Sequence, residues 1–136
     1  MISVQHKNLK VINKKFHEWN SFSKKFVKLK NGKFESRDNE ILVSEGLIKN
    51  GYRHGLWTYY FKNGKISSKE KFKNGKLHGK IEWFDYDSGE LSEEGKYENG
   101  KKHGVFKTYF DEGRIIKKVT FEDDFEMNTE IEYLGH

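Results

Sequence analysis

The stretch that decides the fold is EGLIKNGYRHGLWTYYFKNGKI, residues 45–66. It returns in phase as EKFKNGKLHGKIEWFDYDSGEL (70–91) and as EGKYENGKKHGVFKTYFDEGRI (94–115). Asn-Gly recurs at Asn50-Gly51, Asn74-Gly75 and Asn99-Gly100, and His-Gly at His54-Gly55, His78-Gly79 and His103-Gly104. A third glycine recurs at Gly64, Gly89 and Gly113, and successive copies are 24 or 25 residues apart. Apolar positions keep the same phase. Ile48, Phe72 and Tyr97 precede the Asn by two, Trp57, Ile81 and Phe106 follow the His-Gly glycine by two, and Tyr60, Phe84 and Tyr109 follow it by five. Asn-Gly between alternating residues signals a tight hairpin, because its turn needs positive φ at both central positions. Each copy therefore reads as one β-hairpin. First strands are expected near 45–49, 69–73 and 94–98, and second strands near 56–62, 80–86 and 105–111.

Outward from these copies the pattern weakens. Phe121 keeps the slot of Ile48, Phe72 and Tyr97, while Asp123-Asp124 replace Asn-Gly. Ile41-Leu42-Val43 reads as a strand before the first full copy. The expected organisation is an N-terminal cap segment (1–40), an array of hairpin repeats (41–124, with full copies about 45–68, 69–92 and 93–116) and a degenerate terminal repeat with an acidic tail (117–136). Within the cap, Leu9, Ile12, Phe16 and Trp19 lie at helical spacing, so a short amphipathic capping helix is expected over 9–19, with a strand as the alternative.

Composition agrees with a β-rich chain that has a thin core. The 136 residues include no cysteine, no proline and no alanine, which removes thiol chemistry, disulfides and the best helix former. Hydrophobic residues are 34% and charged residues 35%, a balance near that of disordered chains, but 11 Phe, 7 Tyr and 3 Trp supply large buried area per residue. The net charge of +5 is uneven: +6 over 1–40, +3 over 41–116 and −4 over 117–136. The first fifteen residues hold no apolar run of signal-peptide length, and nothing reaches the roughly 20 apolar residues of a membrane helix. A cytoplasmic protein is the expectation.

Catalytic and metal chemistry find little support. His54, His78 and His103 stand one per copy. Equivalent positions in stacked hairpins lie two strands apart, about 9–10 Å, too far to share an ion held at about 2.1 Å. They read instead as turn residues whose rings cap backbone groups or pack on the next repeat. Glu93-Glu94, Asp85/Asp87 and Asp123-Asp124 fall at strand ends and turns, where solvated charge is the simpler reading. No nucleophile elbow and no phosphate-binding glycine loop occurs. No enzyme, no cofactor and no small-molecule substrate is expected.

The pattern E-G-x-aromatic-x-N-G-x-x-H-G-x-W-x-x-Y-x-x-x-G-x-I resembles the MORN repeat, in its bacterial MORN-variant form, over about residues 41–124. The resemblance implies an elongated, twisted antiparallel sheet of stacked β-hairpins. It also implies a protein-binding or dimerising scaffold, with lipid binding proposed for some members. Many small bacterial members carry the label of YwqK-type antitoxins, which implies a toxin as partner. Departures stand at Thr108, in the slot of Tyr59 and Trp83, and at Lys69-Glu70, in place of Glu-Gly.

Strand alternation places Trp57, Tyr59 and Phe61 on one face and Leu56, Thr58 and Tyr60 on the other. One face must form the core, and an apolar patch left on the other marks a partner. The expected contact residues are Tyr60, Phe84 and Tyr109, with Trp57 and Trp83. Because the aromatics keep hairpin phase, packing explains them better than base stacking does, so nucleic acid is disfavoured. The alternative is a membrane surface, with Lys7, Lys10, Lys14 and Lys15 gripping anionic headgroups at about 1 kcal/mol each. Self-association through open sheet edges is the third reading.

Overall fold

The computed structural model describes residues 2–5, 9–12, 15–20, 25–28 and 31–135, with side chains from residue 31 onward. Fourteen strands form two sheets and no helix occurs among the described residues. The strands are β1 (Ile2–Gln5), β2 (Leu9–Ile12), β3 (Lys15–Asn20), β4 (Lys25–Lys28), β5 (Asn31–Asp38), β6 (Ile41–Lys49) and β7 (Tyr52–Tyr60). They continue as β8 (Ile66–Lys73), β9 (Lys76–Phe84), β10 (Leu91–Glu98), β11 (Lys101–Lys102), β12 (Gly104–Phe110), β13 (Ile115–Glu122) and β14 (Phe125–Tyr133). The main sheet runs in chain order from β5 to β14, every neighbour antiparallel, with β11 pairing β10 and with β1 added parallel to β5. The second sheet is β2-β3-β4, and the backbone of β3 approaches β7.

The helix expected over 9–19 is not formed. Leu9–Ile12 pairs antiparallel with Lys15–Glu18 instead. Val11 and Ile12 are β-branched and lose rotamer freedom in a helix, and the segment lacks alanine to offset that. The segment 1–40 is also not a separate cap: β5 pairs with β6 from Asn31↔Lys49 to Asp38↔Ile41. Strands of the repeats are longer than expected, eight or nine residues in β6 to β10; His54-Gly55 and His78-Gly79 lie inside β7 and β9 rather than in turns, while His103 falls between β11 and β12.

Turn chemistry sets the register. Asn50-Gly51, Asn74-Gly75 and Asn99-Gly100 have φ of 53°/83°, 50°/80° and 50°/84°, the left-handed pair that a two-residue hairpin needs. Asp123-Asp124 (48°/71°) and Asn39-Glu40 (48°/72°) make the same turn without glycine. Asn31-Gly32 opens β5, and Asn63-Gly64 closes the longer loop between β7 and β8. Each tight turn is stitched to its neighbour. Gly75, Gly100 and Asp124 donate their N–H groups to the carbonyls of Arg53, Leu77 and Lys102 at 2.8–3.0 Å.

Most of the core is on one face of the sheet, while Ile116, also buried, pairs with Tyr109 on the other. Phe34, Ile48, Trp57, Phe72, Ile81 and Phe106 are buried on the first, and Trp57 is 0% exposed. Its rings meet as Phe34–Trp57–Phe72 at 5.6 and 6.5 Å, and as Tyr97–Phe106–Phe121 at 5.6 and 5.2 Å. Small residues make the room. Trp57 lies flat over Gly46 and Phe106 over Gly95, so a Cβ at either glycine would sit 2.4 Å from a ring carbon. The indole Nε1 donates to the Leu47 carbonyl at 2.8 Å, so the buried ring leaves no unpaired donor. In the middle copy, Ile81 stands where Trp57 and Phe106 do, and there Glu70 replaces the glycine, paired directly to Ile81.

Candidate functional site

Alternation along each strand sends the remaining side chains to the opposite face. Cross-strand pairing carries one row from β5 to β14: Glu35, Glu45, Thr58, Lys69, Glu82, Glu94, Lys107, Lys118 and Glu130. The row is charged almost throughout, which only a water-facing surface tolerates. Tyr60, Phe84 and Tyr109 lie two residues beyond it on the same face, one per repeat. All three are partly exposed. Tyr60 donates to Glu45 Oε1 at 2.6 Å and Tyr109 to Glu94 Oε2 at 3.1 Å. Burial, and then the accepting Glu45 carboxylate, push the Tyr60 phenol up to about 12, and burial and Glu94 raise Tyr109 in the same way. Both hydroxyls therefore stay protonated donors at neutral pH. Phe84 has no hydroxyl, and Lys69 Nζ sits 5.8 Å from its ring centroid instead.

The two tyrosines border equivalent hollows. A cavity of about 450 Å³ lies between Tyr60 and Ile41, Leu42 and Val43, and one of about 720 Å³ lies between Tyr109 and Leu91, Ser92, Asp111 and Glu112. The first is lined mainly by apolar atoms and the second by polar ones. Exposed Leu47, Leu56 and Val105 extend this face toward the Asn-Gly turns.

The other expected contact residues lie on the core face. Trp57 is fully buried and offers no surface, and Trp83 is half-buried, 6.5 Å from Phe106. Residues missed from sequence are the small ones and the cations that stabilise this core. The Arg53 guanidinium lies 5.4 Å from the Trp57 centroid and 5.2 Å from that of Phe72, and Lys102 repeats the arrangement over Phe106 and Phe121 at 5.2 and 4.8 Å. Both occupy the position just before the His-Gly histidine, and a cation recurring there was the available signal. Beside Arg53, burial pushes Tyr59 up to about 12 and also raises the Glu70 carboxyl, with Arg53 opposing each shift.

The histidines are structural neighbours of the turns. His78 Nδ1 accepts from the Asn99 N–H at 3.2 Å, while the buried Nδ1 atoms of His54 and His103 have no hydrogen-bond partner among the described residues. Among the described residues no three His, Asp or Glu side chains gather where an ion could sit. Lys7 and Lys14 lie outside the described residues, as do the side chains of Lys10 and Lys15.

Residues 53–74 and 102–123 each match the family model described as MORN repeat variant. Both stretches are MORN repeats. The matched units are β7–β8 and the β11–β12–β13 segment, each running from the cation before His-Gly through the longer loop to the next tight turn. The copy between them, β9–β10, is the one with the extra loop residue. Such MORN repeats are non-catalytic modules that bind proteins or membranes. A search of the curated proteins finds no match to the chain. No helix among the described residues is long and apolar enough to cross a membrane.

Proposed function

We propose that this MORN-repeat chain is a non-enzymatic protein-binding scaffold whose contact surface is the face carrying Tyr60, Phe84 and Tyr109. The observation that carries the reading is the division of labour between faces. One face encloses its aromatics around Gly46 and Gly95, while the other leaves three aromatics partly open at repeat spacing beside two hollows. Rigid aromatics ringed by charge are the usual anchors of a protein contact. The finer proposal, which rests on the resemblance to bacterial MORN-variant proteins, is that the partner is a toxin neutralised by steric occlusion in the cytoplasm.

A pull-down with the wild-type chain and a Tyr60→Ala/Phe84→Ala variant tests both levels. The expected result is one stoichiometric protein lost from the variant, whose circular dichroism and melting remain native. Retention of that protein by a natively folded variant would overturn the site. If expression of the captured protein alone leaves growth unaffected, the toxin assignment fails and the scaffold stands. The basic N-terminal sequence supports a second reading, binding to anionic lipid. Flotation with phosphatidylserine vesicles at low salt is its test, and failure to float removes it.

A further inference from the structure

Among the described residues the last strand of the main sheet is β14. β14 spans nine residues, Phe125–Tyr133, and among the described residues only β13 pairs with it. Its outer edge therefore presents a row of backbone donors and acceptors with no strand opposite. Proteins usually blunt such an edge with shortness, proline or lysine. β14 lacks these three: it is as long as any strand in the sheet and reads FEMNTEIEY, its only devices being Glu126, Glu130, Glu132 and a bulge at Met127 that leaves 128–133 regular. From Asn128↔Thr120 to Tyr133↔Ile115 it keeps unbroken register with β13, so six consecutive residues are straight enough to template another strand. Phe125, Met127, Ile131 and Tyr133 are 74%, 61%, 50% and 75% exposed.

The side chains specify what fits. Ile131 pairs with Lys117 and Tyr133 with Ile115 on the core-face side, while Glu130 pairs with Lys118 and Glu132 with Ile116 on the charged side. Self-pairing is opposed. An antiparallel match of two β14 strands about Ile131 would set Glu130 against Glu132 twice, both on the charged side of the straight segment, and like charges directly opposite destabilise. An incoming strand with lysine or arginine opposite these acids, and apolar residues opposite Ile131 and Tyr133, meets no such clash.

We propose that the outer edge of β14 is a docking site for an extended segment of another protein, with alternating basic and apolar residues, which adds as the next strand of the sheet. This deepens the scaffold reading and rests on it, but it assigns a surface separate from Tyr60, Phe84 and Tyr109. Main-chain hydrogen bonds would supply affinity and the alternation specificity, the usual division in strand addition.

Three labelled peptides of equal length test the proposal on the full chain: one alternating lysine with isoleucine and tyrosine, one with glutamate in place of lysine, and one with the first peptide's residues in blocks. Binding is read by fluorescence anisotropy and amide hydrogen exchange. The alternating basic peptide is expected to bind about tenfold tighter than either other peptide, from two or three cross-strand pairs, and to slow exchange within 128–133. Glu130→Lys, at an exposed position, is expected to remove the preference for the basic over the acidic peptide while leaving melting unchanged. Equal binding of the blocked peptide would reduce the effect to bulk charge and overturn the proposal. So would an unaltered preference in the variant, or light scattering showing that a second copy already occupies the edge. Loss of the edge proposal with partner capture through Tyr60 and Phe84 intact would leave the scaffold reading standing.

Discussion

Trp57, Gly46, Phe106, Gly95, Ile81 and Glu70 obey one packing rule. Where the second strand carries a ring, the first strand carries glycine beneath it, and where the ring becomes Ile81, the glycine becomes Glu70. A Cβ at Gly95 would meet the Phe106 ring at 2.4 Å, and that ring is walled in by Tyr97 and Phe121. Gly95→Ala is therefore expected to cost about 1–3 kcal/mol, as overpacking does. Adding Phe106→Ile, the combination nearer the middle copy, should recover part of that cost. Urea denaturation of the double-mutant cycle measures the coupling, and strictly additive costs would refute the rule. The replacement of glycine at Glu70 was visible in sequence only as a departure from the repeat. Its cause was not visible, because nothing in the string says which face a ring lies on. Both faces carry aromatics, and the deciding clue was the small residues Ser44, Gly46, Ser68 and Gly95 on one face alone. Glu70 makes a second prediction. Burial raises its carboxyl, against the opposing pull of Arg53. The folded state then binds a proton more tightly than the unfolded chain does, so stability falls as pH rises through the interval between the two values. Glu70→Gln removes that loss. Its melting temperature should exceed wild type at neutral pH, and the difference should shrink as the carboxyl protonates in acid. A difference independent of pH would show that Glu70 ionisation plays no part.

At the scale of elements, hairpins were legible wherever the turn needed Asn-Gly and hidden where it did not. Three Asn-Gly pairs make two-residue turns, but Asn39-Glu40 makes the same turn with a residue that rarely signals it. That hidden turn is why β5 reads as part of a cap rather than as the first strand of the array. The misread helix over 9–19 has a related origin. Four apolar residues three and four apart suit a helix, yet a pair of strands, Leu9–Ile12 against Lys15–Glu18, uses the same composition, and the absence of alanine tips the balance. Glu40 holds φ at 72°, a conformation costly for any residue with a Cβ. Its carbonyl, which accepts from Arg37 Nη1 at 3.0 Å, survives any substitution. Glu40→Gly should therefore stabilise the protein by about 0.5–1 kcal/mol, the relief of left-handed strain less the added chain entropy. A lower urea midpoint for the variant would mean that the Glu40 side chain makes a compensating contact.

Across the whole molecule, the periodic sheet hides an uneven core. One cluster gathers Phe34, Ile48, Trp57 and Phe72, with Tyr59 and Leu77 against it, and a second gathers Trp83, Tyr97, Phe106 and Phe121. Between them Ile81 pairs with Glu70, two residues that carry no ring. In a stacked array each repeat touches only its neighbours, so stability is a sum of local terms and damage spreads by steps. At the junction of β8 and β9 the ladder shifts register between Glu70 and Phe72, and Leu77 of β9 joins the first cluster while Ile81 faces Glu70. Removing the second cluster's central ring should therefore loosen one end before the other. Phe106→Ala is expected to cost about 3–5 kcal/mol in that end, and native-state hydrogen exchange should show it first in β10, β12, β13 and β14. Amides of β5, β6 and β7 should keep their wild-type protection until the whole chain unfolds. Equal loss of protection in all of these strands would show that Ile81 transmits packing as well as a ring does, and that the sheet unfolds as one cooperative unit.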